Sequence, residues 1–141
     1  MTTAMGAHRL DLACPPDDVT AVHDFLEGVW RDEPSIGAED RMALELALVE
    51  LTSNVIEHAG AGRGVSCSLD LDVADGTLGA VLRDDGGALP IDPAAASLPD
   101  ALAESGRGLA LVQMVVDELR YARVADRNEW SVRRDRRRSG H

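Results

Sequence analysis

Apolar residues in this chain recur with two periods, and the changes between them mark out the elements. Leu10 and Leu12 alternate within residues 8–13, which predicts a short strand, and Cys14-Pro15-Pro16 stops it. Val19, Val22, Phe25, Leu26, Val29 and Trp30 recur at helical spacing over residues 17–30, with the prolines placed to open a helix. A second helix spans about residues 39–58. Val65, Cys67, Leu69, Leu71 and Val73 alternate with Ser66, Ser68, Asp70 and Asp72, the signature of a strand with one buried face. Asp75-Gly76 reads as a hairpin turn into a strand over residues 77–83. Gly106-Arg107-Gly108 opens a third helix with Leu109, Val112, Val115, Val116 and Leu119 inward. A closing hairpin covers residues 120–124 and 129–134, with its turn near Asp126 to Asn128 and Trp130 and Val132 inward.

The order is β-α-α-β-β-α-β-β. Strands joined mainly by hairpins predict a mixed, mainly antiparallel sheet with helices on one face, an α+β two-layer sandwich. Residues 1–7 read as a flexible N-terminus, 8–134 as one domain, and 135–141 as a flexible basic tail. Residues 91–105, rich in Ala, Pro and Ser, read as a flexible segment.

The second helix changes character along its length. Met42, Leu46, Glu50, Asn54 and His58 recur at four-residue steps, which places them on one face. The first two are apolar and the next three are not. Leu48, Leu51, Val55 and Ile56 keep the neighbouring faces apolar, so a carboxylate, a carboxamide and an imidazole enter a wall facing a core. Buried polar groups are costly unless paired, so a partner of some kind is expected opposite them. On its own, Glu-x-x-x-Asn also fits a solvated helix edge.

Charge narrows the partners. The formal net charge is −11, and all 14 basic residues are arginine. Arg133, Arg134, Arg136, Arg137 and Arg138 crowd the end, leaving the body more acidic still. Such a body is ill suited to nucleic acid and better suited to a basic protein partner. The absence of lysine excludes a P-loop, the ion-paired lysine of eukaryotic-type kinases and Schiff-base chemistry. Cys14 and Cys67 form no metal spacing, no apolar run approaches the ~20 residues that cross a bilayer, and no signal peptide opens the chain. A cytoplasmic protein without membrane contact is expected.

Two further polar groups follow the helix. Asp84-Asp85-Gly86 ends a buried strand, where an aspartate can accept from an exocyclic amine and a glycine lets a ligand lie on the backbone. Read alone, it is also an ordinary turn. Ser105-Gly106-Arg107-Gly108-Leu109 opens a helix whose exposed N–H groups and dipole favour an anion, or it is simply a capped helix start.

In this order, E-x-x-x-N-x-x-x-H, D-x-G and G-x-G-L-x-L-V resemble the nucleotide-binding boxes of the GHKL ATPases, whose ATP-binding fold is named after Bergerat. At this size the chain is most similar to the bacterial anti-sigma factor serine kinases, the switch kinases of partner-switching systems. The resemblance runs from the first strand to the terminal hairpin. It implies ATP and Mg²⁺ as cofactors and Glu50 as general base toward a protein serine. It implies Asn54 as metal ligand, His58 as a further site residue one turn on, Asp84 as adenine reader and Gly86 as its companion. Gly106 and Gly108 would lie beside the phosphates, with Ser105, Arg107 and Leu109 around them and residues 91–105 as the ATP lid. It also implies a STAS-domain antagonist as substrate, a sigma factor as the alternative partner, and a homodimer. Two features depart from the family: Ala88 replaces the second glycine of D-x-G-x-G, and the lid is short. They leave open a nucleotide-binding clamp that transfers no phosphate.

Overall fold

The computed structural model describes residues 4–59, 63–87 and 106–137. Among these residues, five strands, β1 (Ala4–Cys14), β2 (Val65–Ala74), β3 (Thr77–Asp84), β4 (Glu118–Val124) and β5 (Arg127–Asp135), accompany three α-helices, α1 (Val19–Asp32), α2 (Ala38–Asn54) and α3 (Gly106–Val115). The sheet order is β1-β2-β3-β5-β4. Every neighbouring pair is antiparallel, so the sheet is purely antiparallel rather than mixed.

Alternation along the strands sorts the two faces. Leu69, Leu71, Leu78, Leu82, Trp130 and Val132 join Leu26, Leu44, Leu48, Leu51 and Val112 of the helices in one core. The opposite face carries ion pairs from Arg83 to Asp70 (3.1 Å) and Glu129 (3.0 Å), and from Arg9 to Asp70 (3.2 Å). Polar and charged residues there leave that face to water, giving a two-layer α+β sandwich. No helix among the described residues is long and apolar enough to cross a membrane.

Element ends differ from the sequence reading for local reasons. Asp18, with extended backbone, accepts from the Thr20 N–H and caps α1, so the helix starts at Val19. Regular α2 ends at Asn54, and Val55–Ala59, which includes His58, continues as a π-helical turn. α3 stops at Val115 because Arg134 takes that residue's carbonyl and the Asp117 N–H turns to the Arg133 carbonyl. Leu119 therefore belongs to β4 rather than to the helix. β1 begins at Ala4 because its pairing runs the length of β2, so the N-terminal segment is strand well before His8. Gly6 serves the packing of this strand: a Cβ there would lie 1.9 Å from the Glu33 carboxylate, which is paired with His8.

The basic tail is also fastened further along than expected. Arg134 is buried against Asp40 of α2 (2.8 Å), the Arg137 N–H reaches both oxygens of Asp40 (3.2 and 3.0 Å), and Arg136 donates to the Ala74 carbonyl (2.7 Å). Charge runs are usually solvated, but this one meets carboxylates that local sequence does not reveal. Residues 138–141 lie outside the described residues.

Candidate active site

The polar stripe on α2 does not lie wholly on the core. Met42 is 73% exposed, Leu46 and Glu50 are half-buried, and Asn54 is 4% exposed. Each four-residue step on an α-helix advances the direction by about 40°, so the stripe turns by about 120° from Met42 to Asn54. It therefore winds inward from an exposed flank. The buried line of α2 is Asp40, Ala43, Leu44, Ala47, Leu48 and Leu51, leading to Asn54.

Asn54 is the first notable group. Its Oδ1 and Nδ2 are both buried, and neither has a hydrogen-bond partner among the described residues. An unmade hydrogen bond of this kind costs about 1–3 kcal/mol per group. The neighbouring Thr52 hydroxyl is in the same condition. No group of three or more His, Cys, Asp or Glu able to hold a metal occurs among the described residues. One carboxamide oxygen nevertheless fits Mg²⁺, which keeps several waters and is held largely by substrate phosphates.

Glu50 precedes Asn54 by one helical turn and meets the start of α3. A Cβ added to Gly108 would lie 2.5 Å from Glu50 Oε2, so only glycine lets the carboxylate stand this close. The carboxylate is thus next to the end of α3 whose N–H groups and dipole favour negative charge. Glu50 and Gly108 lie 58 positions apart and are brought together by the packing of α2 on α3. Leu109 packs its side chain into the apolar core. Gly106 is the first residue of α3, with Arg107 next, and His58 lies in the π-helical turn. The side chains of His58 and Arg107, all of Ser105, Ala88 and the 91–105 segment lie outside the described residues.

Asp84 ends β3 and is 1% exposed. Its Oδ1 accepts from the Gly86 N–H (2.8 Å) and from Asn128 Nδ2 (2.9 Å). Its Oδ2 is buried without a partner among the described residues. Burial pushes the carboxyl above its usual range, while the hydrogen bonds from Asn128 and Gly86 oppose that rise. Cys67 is the cross-strand partner of Asp84 on β2. Burial, then the neighbouring Cys14 and Asp84, push its thiol up to about 12, so it is inert rather than nucleophilic.

Asn128 is a site residue that the sequence pattern does not mark. The turn of the last hairpin lies at Ala125-Asp126, both with positive φ (49° and 64°), the backbone a tight two-residue hairpin requires. Val124 pairs with Arg127, so Asn128 falls on the core face of β5, opposite Asp84. Asp-Arg-Asn looks like turn chemistry. Only the strand register reveals Asn128 as part of the site.

A buried acceptor at a strand end, an unpartnered carboxamide and a carboxylate at a helix start can serve the base, metal and reacting end of a nucleotide. Residues 12–134 match the histidine kinase-like ATPase domain. No curated protein matches the chain.

Proposed function

We propose, on the premise that the chain belongs to the histidine kinase-like ATPase family, that it is a protein serine kinase and anti-sigma factor. In this reading it binds ATP with Mg²⁺ and phosphorylates a serine of a STAS-domain antagonist. It holds the sigma factor in one state and the antagonist in the other. The observation that carries the reading is a buried Asn54 amide, without a partner among the described residues, one turn after the Glu50 carboxylate that stands against Gly108.

Phosphoryl transfer asks chiefly for positioning and charge neutralisation. Asp84 Oδ2 would accept from the adenine amine. Asn54 Oδ1 would hold the Mg²⁺, which when bound neutralises charge on the phosphates. The N–H groups at the start of α3 would face the phosphates. Glu50 would accept the proton of the incoming serine hydroxyl while that oxygen bonds to the γ-phosphorus of ATP, the bond from that phosphorus to the bridging oxygen breaks, and ADP leaves.

Partner binding has its own support in the surface. Met42, Leu46, Val49 and Trp30 line a shallow cavity of about 470 Å³ on the outer side of α1 and α2. Met42 is exposed and the other three are half-buried, and partly exposed apolar ground of this kind suits a protein contact, including a second copy in a homodimer. The acidic body favours a basic partner.

Substitution of Glu50 by Gln separates transfer from binding. Transfer of labelled phosphate from ATP to the antagonist serine is expected to fall by roughly 10²–10⁴-fold, with ATP affinity retained. Undiminished transfer removes Glu50 as base. The alternative, a nucleotide-holding clamp, draws on Ala88 in place of glycine. It predicts wild-type ATP binding with no label on any partner serine.

A further inference from the structure

Asp84 is held by a chain of groups that the ATP reading itself does not require. Asn128 is fully buried, and its side-chain amide is saturated. Nδ2 donates to Asp84 Oδ1 (2.9 Å) and to the Gly87 carbonyl (2.9 Å). Its Oδ1 accepts from the Tyr121 hydroxyl and from Arg123 Nη1 (3.2 Å). Turning the amide over would set its N–H groups against the Arg123 guanidinium, which can only donate, and its oxygen against two acceptors. The surroundings therefore fix which end faces Asp84. Arg123 Nη1 also donates to the Gly86 carbonyl (2.7 Å), so the backbone after β3 is tied to the same cluster.

One oxygen of Asp84 is thus fully used, and the other is buried with no partner among the described residues. We infer that Asn128, oriented by Tyr121 and Arg123, is a positioning residue that sets which purine the site accepts, by presenting Asp84 Oδ2 as an acceptor only. A 6-amino group on the ring can donate to that oxygen. A 6-oxo group meets it with a lone pair. The direction of the Asp84 shift agrees: burial raises the carboxyl, and the Asn128 hydrogen bond counters it and favours the ionised form. Other charged or titratable groups near Asp84 are Asp85 beside it, Arg123 from β4 and Cys67 from β2.

This inference rests on the nucleotide reading above, and its test separates the two. Dissociation constants for Mg-ATP and Mg-ITP, which differ in the 6-substituent, are measured on wild type, Asn128→Leu and Tyr121→Phe. The ratio of the two constants within each variant is insensitive to a general loss of stability. Wild type is expected to prefer ATP. Asn128→Leu is expected to reduce that preference about tenfold, the equivalent of one hydrogen bond to a charged group. Tyr121→Phe keeps the aromatic packing against Trp130 (4.8 Å between ring centroids) and is expected to reduce the preference in the same direction by less. It also decides the matter if the Leu variant does not fold. A wild type that prefers ATP, with the same ratio in the folded variants, overturns the role of Asn128 and leaves the nucleotide site standing. A wild type that binds both equally also overturns it. A wild type that binds neither overturns the site reading as well.

Discussion

The two ends of α2 bury polar groups in opposite ways. Near its N-terminus, Asp40 is 1% exposed and encircled by donors: Arg134 Nε at 2.8 Å and the Arg137 N–H at 3.0 and 3.2 Å. Arg134 in turn spends Nη1 on the Val115 carbonyl and Nη2 on Glu39. At the C-terminus, Asn54 is nearly as buried, yet its amide has no partner among the described residues. The first cluster joins α2, α3 and β5 and is complete within the chain. The second lies one turn beyond a carboxylate at the start of α3. Burial alone does not distinguish a structural polar group from a binding one; whether the chain supplies its partners does.

Arg134→Met breaks the comparison where it is strongest. It strands the Asp40 charge and is expected to lower unfolding free energy by about 3–5 kcal/mol, read by urea denaturation. A loss below about 1 kcal/mol would mean that the cluster is not a clasp, since exposed ion pairs contribute only that much.

Gly108→Ala acts between the two ends. Its Cβ would press on the Glu50 carboxylate, so phosphate transfer is expected to fall by up to about 10²-fold through misplacement of the base. Stability should change by no more than about 1 kcal/mol, because alanine is the better helix former. Unaltered transfer would show that the carboxylate need not stand there.

Asn54→Leu sharpens the contrast from the open end. Removing an unsatisfied amide with little change in volume is expected to raise stability by about 1 kcal/mol in the absence of ligand. A loss of similar size would place Asn54 among the structural groups.

Asp84→Asn is the smallest effect and depends on pH. Burial raises the folded carboxyl, so the folded chain holds that proton more tightly than the unfolded one. The contribution is therefore favourable below the ordinary carboxylate range and is lost as pH rises through the folded value. The Asn variant should be the more stable near neutrality, with the gap closing in acid. A gap that widens in acid contradicts the direction of the shift.

Much of the fold is legible in the sequence. Strict alternation from Val65 to Val73 fixed a strand with its buried side, and helical spacing placed α1. Glu50, Asn54, Asp84 and Gly108 stood out because helix pitch and strand ends set their local geometry. What stayed hidden depends on contacts far along the chain. Asp40 and Arg134 are 94 positions apart, and no local pattern couples them, so the arginines looked like a solvated tail. Asn128 looked like a turn residue because its register depends on two positive-φ residues just before it. Four-residue spacing puts Met42 on the core line, but it hides a drift that builds up over three steps and turns Met42 outward.

Among the described residues Asn54 and the buried oxygen of Asp84 have no partner, and the prediction on which the others depend is that a magnesium nucleotide fills both. Thermal unfolding with and without Mg-ATP, on wild type and Asn54→Leu, tests it most directly. The wild type is predicted to gain about 2.7 kcal/mol at ligand near one hundred times Kd, seen as a rise of several degrees in Tm, and the variant to gain little at the same concentration. A wild type whose transition does not move, or a variant that shifts as far as the wild type, contradicts it.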